Sequence, residues 1–415
     1  LLKEIFRVIM ALYAKAYNPQ LFNHIKRRRI MNKRLTFSLL ALIVALAMAL
    51  SACGAATSVV TTEPPTTAPL PTQVPPTTAP TAVPATATTA PTAVPTAIPP
   101  TCTPLPNAMS PKAGTLGASD NPIVIVFVPS VDVSKITTGG QAMADCLSKM
   151  TGLTYKILVG TSEAASIEAL GGGKAQIGFL NTFSVLLAHE KYNVDVELVA
   201  ERKYGYQNPP GTYHTFDFDP DKALVGQLEP FYKPEFFTRA DTGIKTLADI
   251  KGHSFCFTTA GSTSGGVIPR AMFMAMGINP DTDMKSTYAG GHDKAAIAVY
   301  QGDCDAGVAF MDILTDPPTN LQAKFPDITQ KVQVFAVGQR IPNDGVQFIQ
   351  GFDPAMKALT LDAIMAMDAD PGGNAVIYSV YAYNSFEKAD FSKYYAPFEQ
   401  LLKDAGVDVS KLVKQ

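Results

Sequence analysis

The densest chemistry in this 415-residue chain lies in Thr258-Thr259-Ala260-Gly261-Ser262-Thr263-Ser264-Gly265-Gly266. The segment follows an apolar strand-like run, Ser254–Thr258, and leads into a helical pattern that reaches Met276. A helix start offers backbone N–H groups without intrahelical partners and the positive end of a dipole. Glycines let a ligand approach the backbone, and the hydroxyls of Ser262, Thr263 and Ser264 add donors, so the turn suits an oxyanion. Ordinary helix capping is the competing reading, but one hydroxyl is enough for a cap. Catalysis fits poorly. A nucleophile elbow needs Gly-x-Ser-x-Gly, and here Gly261 and Gly265 flank a central Thr263. No lysine follows the glycines as in a nucleotide-binding loop. The turn reads as a binding device, not an enzyme centre, and calls for no cofactor.

The elements that must position this turn are legible as alternating strands and helices. Ile123–Val128 is an unbroken β-branched and aromatic run, as expected of a buried parallel strand. A helix over Thr138–Met150 follows, then a strand at Tyr155–Val159, a helix at Ser162–Leu170, a strand at Ala175–Leu180 and a helix through His189. Val194–Ala200 continues the alternation, which predicts a parallel sheet covered by helices on both faces. Residues 204–232 form an irregular excursion rich in Tyr, Pro and Gly. A second set follows: strands at 235–238, 254–258, 306–310 and 332–337, with helices at 246–252, 261–276 and 295–301. After Phe352 the pattern is helical to the end. The fold class is α/β with two lobes, and ligands in such folds gather at the carboxyl ends of strands.

Charge excludes one class of partner. Residues 1–34 carry nine of the 34 Lys/Arg and one of the 36 Asp/Glu, leaving 25 basic against 35 acidic side chains, a net −10. An acidic body argues against nucleic acid, so an anion must be held by local dipoles and hydrogen bonds. Of five cysteines, Cys53 and Cys102 lie in the N-terminal part, and Cys146, Cys256 and Cys304 in the globular part. Their spacing matches no metal site. Cys256–Cys304 is the preferred disulfide, with isolated buried thiols as the alternative.

The N-terminal part has its own logic. Met31-Asn32-Lys33-Arg34, an apolar stretch to Leu50, and Ser51-Ala52-Cys53-Gly54 have the anatomy of an export signal. The last four residues resemble a bacterial lipobox, whose cysteine is lipidated. Cys53 would then anchor an extracytoplasmic protein to the cell membrane, the alternative being a membrane-spanning helix. Residues 1–30 read as translated sequence upstream of a start at Met31, 31–52 as the signal peptide, and 53–117 as a Thr/Pro-rich extended tether.

The globular part resembles the phosphate/phosphite/phosphonate substrate-binding family of ABC importers, the PhnD-like group of type II periplasmic binding proteins. The resemblance is carried by Thr246–Gly252, by Ser262-Thr263-Ser264-Gly265, by Gly290-Gly291-His292-Asp293-Lys294-Ala295-Ala296 and by Val299–Gly307. It implies lobes of mainly parallel sheet, the first from 118–236 and 340–415 and the second from 237–339, closing on a ligand between them. It implies that Ser262, Thr263, Ser264 and Gly265 hold the oxyanion with His292. It assigns Asp312, twenty residues after His292, and Asp344 to a ligand amine. Where many members have Gly-Pro and a tyrosine, this chain has Asn181, Thr182 and Val185. Asn181, Thr182 and Ser184 then supply substitute hydrogen bonds, and Tyr204, Tyr206 or Tyr232 a substitute ring. The implied partners are a small phosphorus oxyanion and ABC permease subunits. Another small solute, or a sensory or adhesive use of the fold, is the alternative.

Overall fold

The computed structural model describes residues 99–404, apart from 210, and residue 407. Cys53, the signal segment and most of the tether lie outside the described residues. No helix among the described residues is long and apolar enough to cross a membrane.

Strand β1, Ile123–Phe127, is almost wholly buried, as its β-branched run requires. Helix α1, Val133–Thr151, begins where the Asp132 side chain accepts from the Ser134 N–H, and ends at Gly152, whose φ of 73° admits the left-handed turn. It starts five residues before the expected Thr138. Thr137 and Thr138, residues that favour loops, here return their hydroxyls to the carbonyls of Val133 and Ser134 at 2.7 and 2.9 Å. β2 (Tyr155–Val159), α2 (Glu163–Gly171), β3 (Ile177–Leu180), α3 (Thr182–Tyr192) and β4 (Asp195–Lys203) complete the first alternation. β1 pairs in parallel with both β2 and β3.

The excursion after β4 is built from short strands: β5 (Tyr206–Gln207), β6 (Tyr213–His214), β7 (Leu228–Glu229) and β8 (Phe231–Tyr232). The second sheet follows with β9 (Pro234–Arg239), β10 (Ser254–Phe257), α4 (Ile268–Ala275), β11 (Lys285–Tyr288), α5 (His292–Gln301), β12 (Ala306–Phe310) and β13 (Val332–Val337). Its strand order is β11-β10-β12-β9-β13. The chain then returns through β14 (Ile341–Pro342), which pairs with β8, and β15 (Gly345–Phe348), which enters the first sheet between β3 and β4. Helices α6 (Pro354–Ala369) and α7 (Pro371–Tyr381) precede β16 (Ser385–Lys388), and α8 (Phe391–Asp404) closes the described fold. The helical expectation beyond Phe352 is thus interrupted by β16, an edge strand antiparallel to β4; with β15 antiparallel to β3 and β4, and β9 to β12 and β13, both sheets are mixed where mainly parallel sheets were expected.

Two corrections concern the cysteines and the tether. Cys102 is not a bystander: it is bonded to Cys146 of α1. Residues from 99 onward are docked on the first lobe, with the Leu105 and Met109 N–H groups donating to the Met150 and Thr151 carbonyls at 2.8 and 2.7 Å. The Met109 carbonyl oxygen sits 2.1 Å from where a Cβ on Gly152 would stand, so only glycine fits there. Cys256 and Cys304 are also bonded, as preferred from sequence.

The two crossings between lobes are braced by a buried charge cluster. Lys233, fully buried just before β9, contacts Asp219 at 2.7 Å and also Asp221, both from the excursion. Asp221 in turn holds Arg340, at the return crossing, through two hydrogen bonds of 2.6 and 3.0 Å. Asp219 also accepts from Tyr204 and Thr215, each at 2.7 Å. Removing one member of a buried pair strands the other charge, at about 3–5 kcal/mol. Lys233→Met should therefore lower the unfolding free energy by roughly that amount in urea titrations. Asp219→Asn in the same background should recover part of it. A loss under about 1 kcal/mol would show that the cluster is not a stabilising brace.

Candidate functional site

Strand β10 ends at Phe257, and the chain turns through Thr258–Ser262 into a helical segment over Thr263–Val267 that runs on as α4. Gly265 is required by packing: a Cβ there would lie 2.0 Å from Thr258 Oγ1. It therefore serves the turn, not the ligand's approach. Ser262 caps the segment, its Oγ accepting from the Gly265 N–H at 3.1 Å. The N–H groups of Thr263 and Ser264, in its first turn, have no intrahelical carbonyl to meet.

His292 opens α5, delivered by Gly290 in a left-handed conformation at φ 86° and by Gly291 as N-cap. Its ring is buried and locked from one side. The Phe310 N–H donates to Nδ1 at 3.0 Å, so Nδ1 carries no proton and the neutral ring bears its hydrogen on Nε2. Nε2 lies 3.0 Å from Ser262 Oγ and donates to it. Burial, aided by the Arg202 charge, pushes the imidazole down to about 3, so the ring stays neutral. Ser262 Oγ now accepts twice, from Gly265 and from His292. Its own proton is left to give away, and Ser262 lines the interlobe pocket.

That pocket encloses about 570 Å³, including the part open to solvent. Of the residues singled out in the sequence, Asn181, Tyr232, Ser262, Ser264, His292 and Asp344 line it. The others are employed elsewhere. Thr263 Oγ1 accepts from the Phe183 N–H at 2.9 Å and donates to Asn181 Oδ1 at 3.4 Å, so it stitches the second lobe to the start of α3. Thr182 donates to the Pro342 carbonyl at 2.6 Å. The Ser184 N–H donates to Asn181 Oδ1 at 2.9 Å, and the Ser184 side chain is buried away from the pocket.

Asp312 does not enter the pocket. Its carboxylate accepts from the Gln207 N–H at 2.9 Å, from Gln207 Nε2 at 3.2 Å and from Thr315 Oγ1, in a neighbouring recess formed by the excursion. The Thr315 and Asp316 N–H groups both donate to the Asp312 carbonyl, so the segment coils, and Asp316, one turn on, lines the pocket instead. Burial raises both carboxyls, and that of Asp312 is raised further by Asp316. Asp344 Oδ2 accepts from Tyr383 at 3.0 Å, while its buried Oδ1 has no partner. Burial raises this carboxyl too, and Arg202 opposes the rise. Of the three tyrosines considered as replacement rings, Tyr232 lines the pocket; Tyr204 bonds Asp219 and Tyr206 stacks on Phe216.

Two cations in the pocket went unmarked in the sequence. Lys135, on α1, donates to the Pro318 carbonyl and, at 2.6 Å, to that of Thr319 across the cleft. Arg202, next to last in β4, gives one side-chain hydrogen bond, to the Tyr381 carbonyl, at 2.6 Å. The available signal was position: Arg202 is a basic residue at the carboxyl end of a strand in an acidic body. The lobes are apposed around the pocket, the His292 N–H donating to the Ser130 carbonyl at 3.0 Å and Asn181 Nδ2 to that of Gly261 at 3.4 Å. Among the described residues no cluster of three or more His, Cys, Asp or Glu is arranged to hold a metal.

Comparison with known proteins converges on one family. The model for the periplasmic phosphonate substrate-binding protein of ABC transporters matches residues 125–394. The phosphate-import protein PhnD of Mycolicibacterium smegmatis is 27% identical over 202 residues, 47% of this chain and 56% of that protein. The chain thus matches little more than half the length of that relative. Among solved structures, a binding-protein component of an ABC phosphonate transporter from Pseudomonas aeruginosa superposes with a TM-score of 0.56 at 16% identity, covering 70% of this chain and 89% of its own. PhnD1 of Prochlorococcus marinus, in complex with methylphosphonate, gives 0.55 at 16% identity, covering 69% and 98%. At these identities the structures speak for the fold, a two-lobed type II binding-protein architecture.

The His292 geometry has a pH consequence. The unfolded imidazole titrates near 6.5, while the folded ring resists protonation down to about 3. This contribution to stability is complete above about pH 6.5 and is lost as pH falls through that window. His292→Gln should flatten the dependence, so that wild type loses more unfolding free energy between about pH 6.5 and 4.5. The difference approaches 1.4 kcal/mol per pH unit at most. Equal pH profiles in urea titrations would contradict a buried neutral ring.

Proposed function

The chain belongs to the periplasmic phosphonate substrate-binding family of ABC transporters, and we propose that it captures a small phosphorus oxyanion between its lobes for import. The observation that carries this reading is the Ser262 hydroxyl. With both acceptor positions taken by Gly265 and His292, it can only donate into the pocket. The hydroxyl of Ser264, the N–H groups of Thr263 and Ser264, and the start of the helical segment add donors and positive potential on the same side. Arg202 and Lys135 supply charge. An ionised phosphorus group, which accepts at every oxygen that has lost its proton, is the complement. The unpartnered Asp344 Oδ1 suits the remaining P–OH of a phosphate, phosphite or phosphonate monoanion.

Recognition on this reading is hydrogen bonding followed by closure, with no bond made or broken in the ligand. Thr263, Asn181, His292 and Lys135 bridge the lobes when the pocket is shut. The M. smegmatis relative is a phosphate-import protein and the P. marinus neighbour was solved with methylphosphonate, which makes those two ions and phosphite the ligands to try first. We place the protein outside the cytoplasm, delivering its ligand to permease subunits, with Cys53 as its lipid anchor and the Thr/Pro-rich stretch as the spacer.

Thermal shift and calorimetry against phosphate, phosphite and methylphosphonate test the reading. At least one should stabilise the protein, and silence with all three would defeat it. For the ion that binds, Ser262→Ala should weaken affinity by roughly 10- to 100-fold, since a hydrogen bond to a charged group is worth about 1.5–3 kcal/mol. Thr263→Ala should weaken it as well, through lost closure. A Ser262→Ala variant with unchanged affinity would remove the hydroxyl from the ligand's shell.

A further inference from the structure

Arg202 lines the pocket within a ring of aromatic side chains. Its guanidinium carbon lies 5.7, 5.4 and 5.4 Å from the ring centroids of Tyr232, Phe310 and Tyr383. Three aromatic faces around one point form the kind of recess that receives ammonium groups. Here the recess is filled by the protein's own guanidinium. The side chain is partly buried, its Nε is buried without a partner, and one contact to the Tyr381 carbonyl holds it. No carboxylate among the described residues comes within ion-pair distance of it.

The acids that face the pocket are arranged around this charge. Asp344 reaches the recess through Tyr383, whose hydroxyl it accepts and whose ring lies against Arg202. Asp316 lines the pocket on its other flank. Each carboxyl is buried, and each feels the guanidinium as its main opposing charge. An ammonium entering beside Asp344 would share the pocket with a fixed cation whose charge already acts on that acid. Its lost hydration would go unrepaid. A neutral P–OH carries no such penalty and can still donate to Asp344 Oδ1.

We propose that Arg202 is the specificity-determining residue of this site, a built-in cation that admits amine-free phosphorus oxyanions and rejects ligands whose ammonium would enter the aromatic recess. The proposal rests on the oxyanion reading above and narrows its substrate class. It also reassigns Asp344, from a partner for a ligand amine to an acceptor for a P–OH.

Calorimetric titration of the whole protein with methylphosphonate, phosphate and 2-aminoethylphosphonate tests it. Wild type should prefer the better amine-free ion over 2-aminoethylphosphonate by at least about tenfold. Arg202→Met, which leaves an apolar side chain in the aromatic recess, should shrink that ratio about tenfold or more by improving 2-aminoethylphosphonate binding. Arg202→Lys, which keeps a cation, should retain the ratio. Arg202→Gln serves if the methionine variant does not fold. Wild type binding 2-aminoethylphosphonate as tightly as methylphosphonate, or neutral variants that keep the wild-type ratio, would overturn the role of Arg202 and leave the oxyanion reading standing. Failure of wild type to bind any of the three, or phosphite, would defeat the oxyanion reading, and this one with it.

Discussion

The site depends on one backbone hydrogen bond, from the Phe310 N–H at the end of β12 to Nδ1 of His292 at the start of α5. It settles which nitrogen carries the imidazole proton, and burial settles that there is only one. Everything upstream follows from that choice. Nε2–H donates to Ser262, the Gly265 N–H fills the other acceptor position, and the Ser262 proton is turned outward. A chain of three neutral groups thus converts a strand end and a helix start into a polarised donor. Were the ring protonated, the Phe310 N–H would face a second donor and the arrangement could not persist. The body is acidic overall, so positive potential in the pocket is made locally, by dipoles and two placed cations.

Placing such a site at a lobe boundary imposes a second demand, because each lobe supplies only half of it. Asn181 stands at the end of β3, Ser262 and Ser264 beyond β10, Asp344 just ahead of β15, and Arg202 at the end of β4. Their convergence relies on two crossings, which the excursion ties together by offering Asp219 to Lys233 and Asp221 to both Lys233 and Arg340. Lys233 and Asp219 are buried, so removing either strands the other, while Arg340 stays half exposed at the return crossing. Each acid also has several donors converging on it, which fixes the orientation of the cluster.

The core strands were legible because burial on both faces leaves a plain signature, as in Ile123–Phe127 and Ala306–Phe310. β11, with the sequence Lys-Ser-Thr-Tyr, and β16, with Ser-Phe-Glu-Lys, are edge strands half exposed to water, and their polar residues carry no such mark. β15 is buried, but Gln347 breaks its apolar run: its Oε1 accepts from the Leu180 N–H at 3.1 Å, while its Nε2 is buried without a partner. In the site, Ser262, Ser264 and His292 could be picked out because residue type, glycine spacing and a helix start coincide. Twenty residues after His292 stands Asp312, but the chain coils between 312 and 316, and it is Asp316 that lines the pocket. Cys102, likewise, sits in a stretch whose composition reads as tether, and only the approach of Gly152 and Cys146 shows that it is docked. Arg202 carried only its position near a strand end as a signal. Its importance comes from Tyr232, Phe310 and Tyr383, which lie far from it in sequence and meet only in the folded cleft.

The most direct test is nitrogen-15 NMR of the histidine side chains, with His292→Gln used to assign the resonance. The His292 ring should be neutral with its proton on Nε2, should show no titration between about pH 5 and 8, and should shift when the bound phosphorus oxyanion is added. A ring that titrates near 6.5, or carries its proton on Nδ1, would contradict the arrangement on which the site rests.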